Sequence, residues 1–402
     1  LFTAVCARWS VNGVVGLRGR HGRRAIGGQG ADVAGRRRPV RGSGYRLAML
    51  RAPLRLPFKT ALRQVDEVED VVVLLESDCG KLGYGSAPAT RAITGQDHQS
   101  IMTSLVRDLL PALDGRPFDD LGSVLALFDQ LPKDNVNARS ALEIAVFDLA
   151  AQAAGVPLAA FLGGGSSLPD TGITVSVDQP EVMVAGALDA LDRGFATLKL
   201  KVGGSGDGDI ERVSQVAAAV AGRARIYLDA NQAWTSDQAV GVIHALNKRG
   251  ISIDLLEQPV PAGDIAGLAR VCLALDTPVM ADESVFCDED AVSIIAAGAA
   301  DIINIKLVKS AGITGALRVA DIAADAGISC MMGCMLESAI AVGAAAHVAA
   351  ARSAVIKRVD LDAPMLCRQN PIVGGTVFDG PRVELNSTPG LGIDTVPGLE
   401  FL

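Results

Sequence analysis

Charged residues stand at the ends of successive predicted strands in the second half of this 402-residue sequence. They are Lys199 and Lys201 in TLKLKVG, Asp229 in IYLDANQ, Glu257 in DLLEQP, Asp282 in VMADES, Lys306 in IINIKLVK, and Asp360 and Asp362 in RVDLDAP. From Lys201 to Lys306 the steps are 24–28 residues, about one strand and one helix. A charge that closes each apolar strand packs poorly unless all of the charges meet. In a parallel barrel the carboxyl ends of the strands do meet, at the face that carries the chemistry.

Three of these residues, Asp229, Glu257 and Asp282, end consecutive strands and are therefore expected to be neighbours. Three carboxylates brought together are costly unless a cation lies between them. Carboxylate oxygens and positions left open for substrate and water suit Mg²⁺. Zinc is disfavoured because no His or Cys stands at an equivalent position. The alternative, that each acid caps a helix, explains any one of them more easily than three in succession. We predict one Mg²⁺ per active site.

The lysines form a second group. Lys199 and Lys201 share one face of their strand, because side chains alternate and the apolar residues between them occupy the other face. If the apolar face packs on helices, both ammonium groups point into the barrel mouth. Lys306 comes four strands later and is expected on the opposite side of an eight-stranded ring. One cation beside another, near a divalent metal, would have its pKa lowered toward the working pH. Two opposed bases can remove a proton from one face of a carbon acid and return it to the other, which inverts a stereocentre.

A final pair, Asp360 and Asp362, again alternates along a strand and shares one face. Two more carboxylates beside the metal acids need another cation, which a substrate ammonium would supply. The alternative is that they cap a helix before Pro364. The four histidines, His21, His98, His244 and His347, all lie away from the strand ends. The sequence therefore gives no support to a His-based acid/base or a Ser-His-Asp triad.

Composition excludes several classes of function. Apolar residues make up 49% of the sequence and the net charge is −8, which predicts a large core and no nucleic-acid binding. No apolar run reaches the ~20 residues needed to cross a bilayer, so no membrane association is expected. The 7 cysteines include no CxxC pair, which indicates reduced thiols in a cytoplasmic protein. A redox pair of Cys330 and Cys334 is the alternative, although the motif is missing.

The sequence divides into four parts. Residues 1–44 hold nine arginines and one acid without periodicity. Because the sequence begins with Leu, we expect this part to be disordered or to be an upstream translation; a targeting or polyanion-binding arm is the alternative. Residues 45–165 are predicted to form an α+β capping domain and residues 166–370 the barrel. Residues 371–402 are predicted to return to the capping domain.

The local patterns support this division. In the first domain we predict strands between residues 45 and 76, turn residues in DCGKLGYGSAP, and helices at 98–113, 121–131 and 137–154. Barrel strands are predicted at 173–178, 197–202, 225–230, 253–258, 278–283, 301–307, 329–334 and 355–361. The fold class is α/β, with a modified (β/α)8-type TIM barrel; the last helix is not obvious, which favours (β/α)7β. An open doubly wound sheet is the alternative, but no GxGxxG follows a strand.

In this order the motifs resemble the enolase superfamily, and specifically its muconate-lactonizing-enzyme subgroup. The segments LKLKVG, LDANQAW, EQP, MADES and NIKLVKSAGI match the subgroup. RVDLDAP and FKTALR resemble the dipeptide epimerases, typified by L-Ala-D/L-Glu epimerase. The likeness runs from Tyr45 to the last residue. It implies an enolase-like fold in which the capping domain covers the mouth of the barrel.

The resemblance also implies roles for individual residues. Mg²⁺ would be bound by Asp229, Glu257 and Asp282, and would stabilise the enediolate formed when the α-proton leaves. Lys201 and Lys306 would be the opposed acid/base pair, with Lys199 adding positive charge near the substrate carboxylate. Asp360 and Asp362 would bind the ammonium of a dipeptide.

Further contacts implied by the resemblance are less closely defined. Arg63 would face an acidic side chain of the substrate, and the loop of residues 89–95 would form part of a lid. Met335 is a candidate substrate contact in the variable stretch CMLES, which also contains Glu337. Asn231 would support the metal site without being a ligand.

The resemblance thus predicts a Mg²⁺-dependent dipeptide epimerase that acts by 1,1-proton transfer in cell-wall peptide metabolism, as a cytoplasmic homo-oligomer. The alternatives within the subgroup are o-succinylbenzoate synthase, N-acylamino acid racemase and muconate cycloisomerase. Their substrates carry no free ammonium, so the Asp360 and Asp362 pair argues against them. From other classes, a Schiff-base lyase with Lys306 as nucleophile and a non-catalytic binding protein remain open.

Overall fold

The computed structural model describes residues 41–60, 64–113, 116–117 and 120–402. Almost all of the arginine-rich segment 1–44, and Arg63 in FKTALR, lie outside the described residues. The predictions made for them therefore stay predictions.

An antiparallel sheet forms the base of the capping domain. Its strands are β1 (Gly42–Lys59), β2 (Gln64–Ser77) and β3 (Leu82–Pro88), and β16 (Glu400–Phe401) at the end of the chain completes it in the order β16-β1-β2-β3. The β-branched run Val71–Val73 in β2 is fully buried, as suits a strand covered on both faces. Ala48 of β1 pairs with Phe401, so the last residues of the chain lie against the first domain.

Strand β3 corrects the sequence analysis, which placed turn residues in DCGKLGYGSAP. Only the first part of that stretch turns, and LGYGSAP pairs with β2 along its whole length. Gly83 and Gly85 are there for close packing, because a Cβ at either position would collide with the carbonyl oxygens of Ala145 or Ala141. Glycine within a strand can mark the close approach of another backbone, so glycine alone does not indicate a turn.

This packing predicts a strong effect of one methyl group. Gly85→Ala is expected to destabilise the protein by about 1–3 kcal/mol, because neither backbone can withdraw. Gly165→Ala is the matched control, since a Cβ at Gly165 meets nothing within 4 Å. Thermal unfolding of both variants tests this, and an equal midpoint for the two would contradict the proposed packing.

Helices of the first domain form in the three predicted ranges, and two short helices form outside them. In chain order they are α1 (Arg91–Thr94), α2 (His98–Ser104) with a π-helical turn (Leu105–Leu109) and a 3-10 turn (Leu110–Leu113), α3 (Leu121–Asp129), α4 (Val136–Ala154) and α5 (Leu158–Phe161). The two outside the predicted ranges are α1 and α5. Side chains cap their amino ends: Asp97 accepts from Ser100 N, Asp120 from Ser123 N and Asn135 from Ala138 N. Helix α4 is buried over most of its length and packs on β3.

Eight parallel strands form the second domain, and each lies inside its predicted range. They are β4 (Ile173–Val175), β5 (Thr197–Lys201), β6 (Arg225–Asp229), β7 (Leu255–Glu257), β8 (Val279–Ala281), β9 (Ile302–Ile305), β10 (Ser329–Gly333) and β11 (Ile356–Asp360). They are hydrogen-bonded in sequence order. The predicted α/β barrel is therefore confirmed, and the open doubly wound sheet is excluded.

The seam between β11 and β4 is closed by side chains. In the described chain no ladder joins these two strands. Instead, Leu361 N donates to Thr171 Oγ1 at 2.8 Å and Thr174 N donates to Asp362 Oδ2 at 2.7 Å. The ring is thus nearly closed, with two side-chain bonds where the other strand pairs use backbone bonds.

Helices alternate with the strands until the last one. They are α6 (Pro180–Asp192), α7 (Gly206–Val220), α8 (Ser236–Lys248), α9 (Ile265–Ala274), α10 (Asp288–Ala296), α11 (Ile313–Asp325), α12 (Ala339–Ala351) and α13 (Ala363–Leu366). Because α13 has only 4 residues, the pattern (β/α)7β holds. Short strands β12 (Val373–Gly374), β13 (Val377–Asp379), β14 (Arg382–Glu384) and β15 (Ile393–Thr395) follow. The boundaries predicted after residues 165 and 370 stay predictions.

An apolar layer fills the barrel beneath the charged residues. Its members are Tyr227, Leu255, Met280, Ile302 and Met331, one from each of five successive strands. Asp229, Glu257 and Asp282 each come two residues after a member of this layer, so the strand alternation turns them inward as well. None of the helices among the described residues combines the length and apolarity needed to cross a bilayer.

Candidate active site

Strand register places the candidate metal ligands beside one another. Lys201 pairs with Asp229, and Asp229 pairs with Glu257, at the carboxyl ends of β5, β6 and β7. Asp282 follows directly after β8, the next strand. All four side chains are buried. The predicted neighbours are therefore brought together at the mouth of the barrel.

The lysines contact these acids directly. Lys201 Nζ lies 2.6 Å from Asp229 Oδ2, and Lys306 Nζ lies 2.6 Å from Asp282 Oδ2. The two amines thus pair with acids of different strands. Lys199 Nζ lies 3.2 Å from Asp229 Oδ2, 2.7 Å from Glu257 Oε2 and 2.8 Å from Asp360 Oδ2. The site is a network in which each described lysine has at least one carboxylate partner.

Charge and burial shift the pKa values in this network. Burial and the neighbouring Asp229 raise the pKa of Glu257 to about 8. Burial also acts on Asp282, but Lys306 and Lys309 outweigh it and hold the pKa of that carboxyl well below its usual range. The buried amine of Lys306 has its pKa raised overall, because the attraction of Asp282 exceeds the effect of burial.

The direction found for the lysines differs from the sequence-based expectation. Neighbouring cations, a divalent metal among them, were expected to lower their pKa values; with the protein groups alone, those of Lys199 and Lys306 are raised. Burial opposes the charged form of Lys199, and the carboxylates of Asp360 and Glu257 outweigh it. The reason for the difference is that the charges closest to these amines are carboxylates and not other lysines.

Two buried residues of this network were missed in the sequence. Lys309 Nζ lies 2.6 Å from Asp282 Oδ1 and donates to the carbonyl oxygens of Asp282, Val285 (3.0 Å) and Asn304 (3.1 Å). Asn304 Nδ2 donates to Glu257 Oε1 at 2.8 Å. Asn304 shares the inward face of its strand with Lys306, which was a signal available in the sequence. Lys309 lies in the turn after the strand, where alternation gives no guide.

Left-handed backbone appears at the ends of β6 and β7. Asn231 has φ 43° and Gln258 has φ 33°, conformations that are costly for non-glycine residues. Gln258 Oε1 accepts from Asp282 N at 2.9 Å, which joins the end of β7 to the residue after β8. Asn231 N donates to Asp229 Oδ1 at 2.9 Å, and its side-chain amide donates to Glu283 Oε1 at 3.2 Å. These strained turns fix the directions of the acids.

The second aspartate pair lines the same cavity. Asp360 contacts Lys199, and its Oδ1 is buried with no hydrogen-bond partner among the described residues. Asp362 Oδ2 accepts from Thr174 N, while its Oδ1 lies 4.0 Å from Cys334 Sγ. Burial and the charge of Asp360 raise the pKa of Asp362 to about 6. Two carboxylates thus lie together, and the ion pair that the structure gives them is that of Asp360 with Lys199.

Residues from both domains line the remainder of the cavity. Phe58, Ala92 and Ile93 come from the first domain, and Met335 and Leu336 from the loop after β10. The residues at 92 and 93 belong to the loop predicted as part of a lid. Met335 N donates to Glu337 Oε1 at 2.8 Å, so a side chain of the same loop holds this backbone.

Free thiols are found at the described cysteines, including Cys330 and Cys334.

The donor set fits a hard divalent cation in its chemistry. Asp229, Glu257 and Asp282 supply three buried carboxylates, and carboxylate oxygens are the ligands that such an ion prefers. Among the described residues, only Cys287, Asp288 and Glu289 bring three ligand atoms within 4.8 Å of one another, and that cluster lies near the surface at the start of α10. In this structure Lys199 contacts Glu257 Oε2 and Lys306 contacts Asp282 Oδ2, so each of these oxygens is paired with a lysine.

Comparison with known proteins agrees with the fold and the site. Residues 182–397 match the family described as enolase C-terminal domain-like, and residues 45–163 match the mandelate racemase / muconate lactonizing enzyme N-terminal domain. The chain therefore belongs to the mandelate racemase / muconate lactonizing enzyme family of the enolase superfamily.

Several relatives are similar over most of their length. An L-Ala-D/L-Glu epimerase of Clostridium acetobutylicum is 40% identical over 347 residues, which cover 86% of this chain and 97% of that protein. The substrate-liganded structure of the L-Ala-D/L-Glu epimerase from Bacillus subtilis is 40% identical, with a TM-score of 0.85, and covers 88% of this chain and 98% of that one.

A third relative is a dipeptide epimerase from Enterococcus faecalis V583, solved as a complex with Mg and the dipeptide L-Leu-L-Tyr. It is 36% identical, with a TM-score of 0.83, and covers 89% of this chain and 100% of that one. All three relatives are epimerases, which are isomerases, and this chain is an isomerase.

Proposed function

We propose that this protein is a Mg²⁺-dependent dipeptide epimerase that works by 1,1-proton transfer between two opposed lysines. The observation that carries the proposal is that three lysines, Asp282 and the aspartate pair line one cavity. Asp229 and Glu257 adjoin it, because both contact Lys199. The similarity to three dipeptide epimerases over most of the chain supports the same reaction class.

The metal would be held by Asp229, Glu257 and Asp282. Mg²⁺ bound there would supply positive charge to a substrate carboxylate and so favour the loss of the neighbouring proton. Asn304 and Lys309 would orient two of these acids, through Glu257 Oε1 and Asp282 Oδ1. The Mg complex of the Enterococcus faecalis relative supports the choice of ion.

Proton transfer would be carried out by Lys201 and Lys306. Each amine would take the α-proton from one face of the substrate carbon, and the other would return a proton to the opposite face. Their pairing with Asp229 and Asp282, on different strands, supports their approach from two sides. Lys199, between Glu257 and Asp360, would lie close to the substrate carboxylate.

The aspartate pair would bind the free ammonium of the dipeptide. Asp360 Oδ1 is buried without a hydrogen-bond partner among the described residues, and Asp362 Oδ1 accepts a long bond from Cys334 Sγ. These two oxygens would take the ammonium, because the Oδ2 atoms already accept from Lys199 and Thr174. This feature favours a dipeptide over the N-acylated amino acids, o-succinylbenzoate precursors and muconates of the alternative functions. A non-catalytic binder would bind dipeptides without exchange of the α-proton.

The direct test is incubation with a dipeptide library in D₂O and Mg²⁺, followed by mass spectrometry. Uptake of one deuteron by dipeptides with an acidic second residue is expected and would rank the substrates. Uptake only by an N-acyl amino acid would move the function to the racemase alternative. Trapping of Lys306 by borohydride with a carbonyl substrate would instead indicate a Schiff-base lyase.

Substitution at Asp360 tests the substrate class. Asp360→Asn is expected to lower kcat/KM for Ala-Glu by roughly 10- to 100-fold, because a charge-assisted bond contributes about 1.5–3 kcal/mol. Since Asp360 also contacts Lys199, the same variant should be measured on an N-acetylated dipeptide. If Asp360 binds the ammonium, the preference for the free amine shrinks; an unchanged rate on Ala-Glu would refute the substrate class.

Finer points of the proposal rest on the resemblance. We propose an acidic second residue in the substrate, with Arg63 and Met335 as side-chain contacts. We also propose action on cell-wall peptides in the cytoplasm and assembly as a homo-oligomer. Kinetics of Arg63→Met on Ala-Glu and on an apolar dipeptide would test the first point, because only the acidic substrate should lose affinity.

A further inference from the structure

The carboxylate of Glu143, in the first domain, caps a barrel helix. Helix α11 begins after Gly312, which has φ 113° and supplies no side-chain cap, and its first turn has no acidic residue. The first N–H groups of a helix need acceptors from elsewhere. One of these N–H groups finds its acceptor in the first domain: Thr314 N donates to Glu143 Oε2, on α4, at 2.7 Å.

The fit of Glu143 against the barrel is close. Its side chain is fully buried, and a Cβ added at Gly312 would collide with its carboxylate. Glycine at 312 is thus needed both for its backbone conformation and for the approach of Glu143. Arg139 Nη2 lies 3.6 Å from Glu143 Oε1, and the charge of Arg318 on α11 also acts on this carboxylate.

The turn that Glu143 holds is the one that carries Lys306. It runs from Lys306 to Gly312, between β9 and α11, and it is compact: Ser310 N donates to Lys306 O at 3.0 Å, and Gly312 N donates to Leu307 O at 2.8 Å. Ala311 has φ 55°, so the turn also contains strained backbone. Strained backbone persists where its surroundings hold it. Here Lys309, inside the turn, donates to Val285 O and Asn304 O, and the cap on α11 fixes the far end of the turn.

The turn after Lys201 is supported differently. Gly203 N donates to the carboxylate of Asp209, which also accepts from Trp234 Nε1 at 3.1 Å. Asp209 and Trp234 both belong to the barrel itself. Among the described contacts, the cap from the first domain therefore reaches the Lys306 turn, whereas the support of the Lys201 turn at Gly203 comes from within the barrel.

We propose that Glu143 is a positioning residue for Lys306, through its bond to Thr314 N, and that it does not position Lys201. The inference rests on the proposed function, because it assigns each lysine to one face of the substrate carbon. It makes the capping domain part of the support of the Lys306 turn. Phe58 of the same domain lies near Lys201, with the amine 5.9 Å from the ring centroid, but that contact is with the side chain.

The position of an acceptor, and not its full charge, is expected to matter. Burial raises the pKa of Glu143 to about 7, so at neutral pH a large share of the group is uncharged. Glu143→Gln keeps an oxygen acceptor at the same reach, whereas Glu143→Asp keeps the carboxylate and withdraws it by one methylene. The two variants separate position from charge and both preserve a polar side chain.

The experiment uses two single-lysine backgrounds. Lys201→Ala leaves Lys306 as the base and Lys306→Ala leaves Lys201, and each is expected to exchange the α-proton of one epimer of a dipeptide in D₂O. Adding Glu143→Asp should slow the Lys306-dependent exchange roughly tenfold, since a small misplacement of a catalytic group costs about this much or more. The Lys201-dependent exchange should change less than about twofold, and Glu143→Gln should leave both rates nearly intact.

Asp148→Asn is the matched control. Asp148 is another buried carboxylate of α4, but it accepts from Leu391 N at 2.7 Å and Tyr84 N at 2.9 Å, away from the Lys306 turn. Its variant should leave the ratio of the two exchange rates unchanged. Equal slowing of both faces by Glu143→Asp, or equal effects of Gln and Asp at 143, would overturn the inference. Failure of both single-lysine backgrounds to exchange either epimer would instead refute the proposed function.

Discussion

Lys306→Ala is expected to lower the rate of epimerisation by about 10³-fold. Exchange of the α-proton with solvent should continue at one face of the substrate carbon. The reason is that a general base contributes about 10²–10⁴-fold and that epimerisation needs both bases in each turnover. Lys201 would still remove and return the proton on its own face. Lys201→Ala should give the mirror result, with exchange confined to the other epimer. Deuterium uptake by each purified epimer in D₂O measures both effects.

Lys357→Ala is the control for the lysine variants. Lys357 is exposed on β11, and its amine donates to Ser353 O outside the cavity. Its variant should keep full activity. Retention of epimerisation by either Lys201→Ala or Lys306→Ala would contradict the two-base proposal, as would exchange of both epimers by a single-lysine variant.

Removal of divalent metal is expected to stop the reaction, and added Mg²⁺ should restore it. Stabilisation of the reacting carboxylate by a metal is of the order of 4 kcal/mol, or roughly 10³-fold in rate. Glu257→Gln should cause a similar loss of rate that added Mg²⁺ does not restore, because it removes one of the three negative ligands proposed for the metal. In a thermal-shift experiment, Mg²⁺ at 100 times its Kd should stabilise the unchanged protein by about 2.7 kcal/mol and the variant by less.

The surface cluster at the start of α10 provides the control for metal binding. Cys287, Asp288 and Glu289 bring three ligand atoms close together, but they are only partly buried or exposed. Glu289→Gln should leave both the Mg²⁺-dependent rate and the thermal shift unchanged. Activity that survives chelation would refute the metal proposal, and loss of the thermal shift in Glu289→Gln would place the ion at the surface instead.

Much of the fold could be predicted from the sequence, because each barrel strand is a short apolar run that ends in a charge. This pattern predicts all eight strands and brings Asp229, Glu257 and Lys306 to one face. The strand β3 was missed for a physical reason. Gly83 and Gly85 have the composition of a turn, and only the position of α4 reveals that they make room for its backbone.

The details of the site were less accessible to sequence. Lys309 lies beyond the end of its strand, and its contacts with Asp282 depend on how the turn folds. The raised pKa of Lys306 depends on a distance of 2.6 Å that no spacing in the sequence specifies. Glu143 is 171 positions from Thr314 in the chain, so its contact with α11 follows only from how the two domains pack.

The seam between β4 and β11 has a consequence for how new specificities could evolve. Asp362 serves the architecture, through Thr174 N, and in our proposal it also recognises the ligand. Mutations at this residue would weaken closure of the ring as they altered recognition. The described side-chain bond of Asp360 is instead to Lys199. Drift toward substrates without an amine should therefore begin at Asp360, and laboratory selection for such substrates should recover changes there before changes at Asp362.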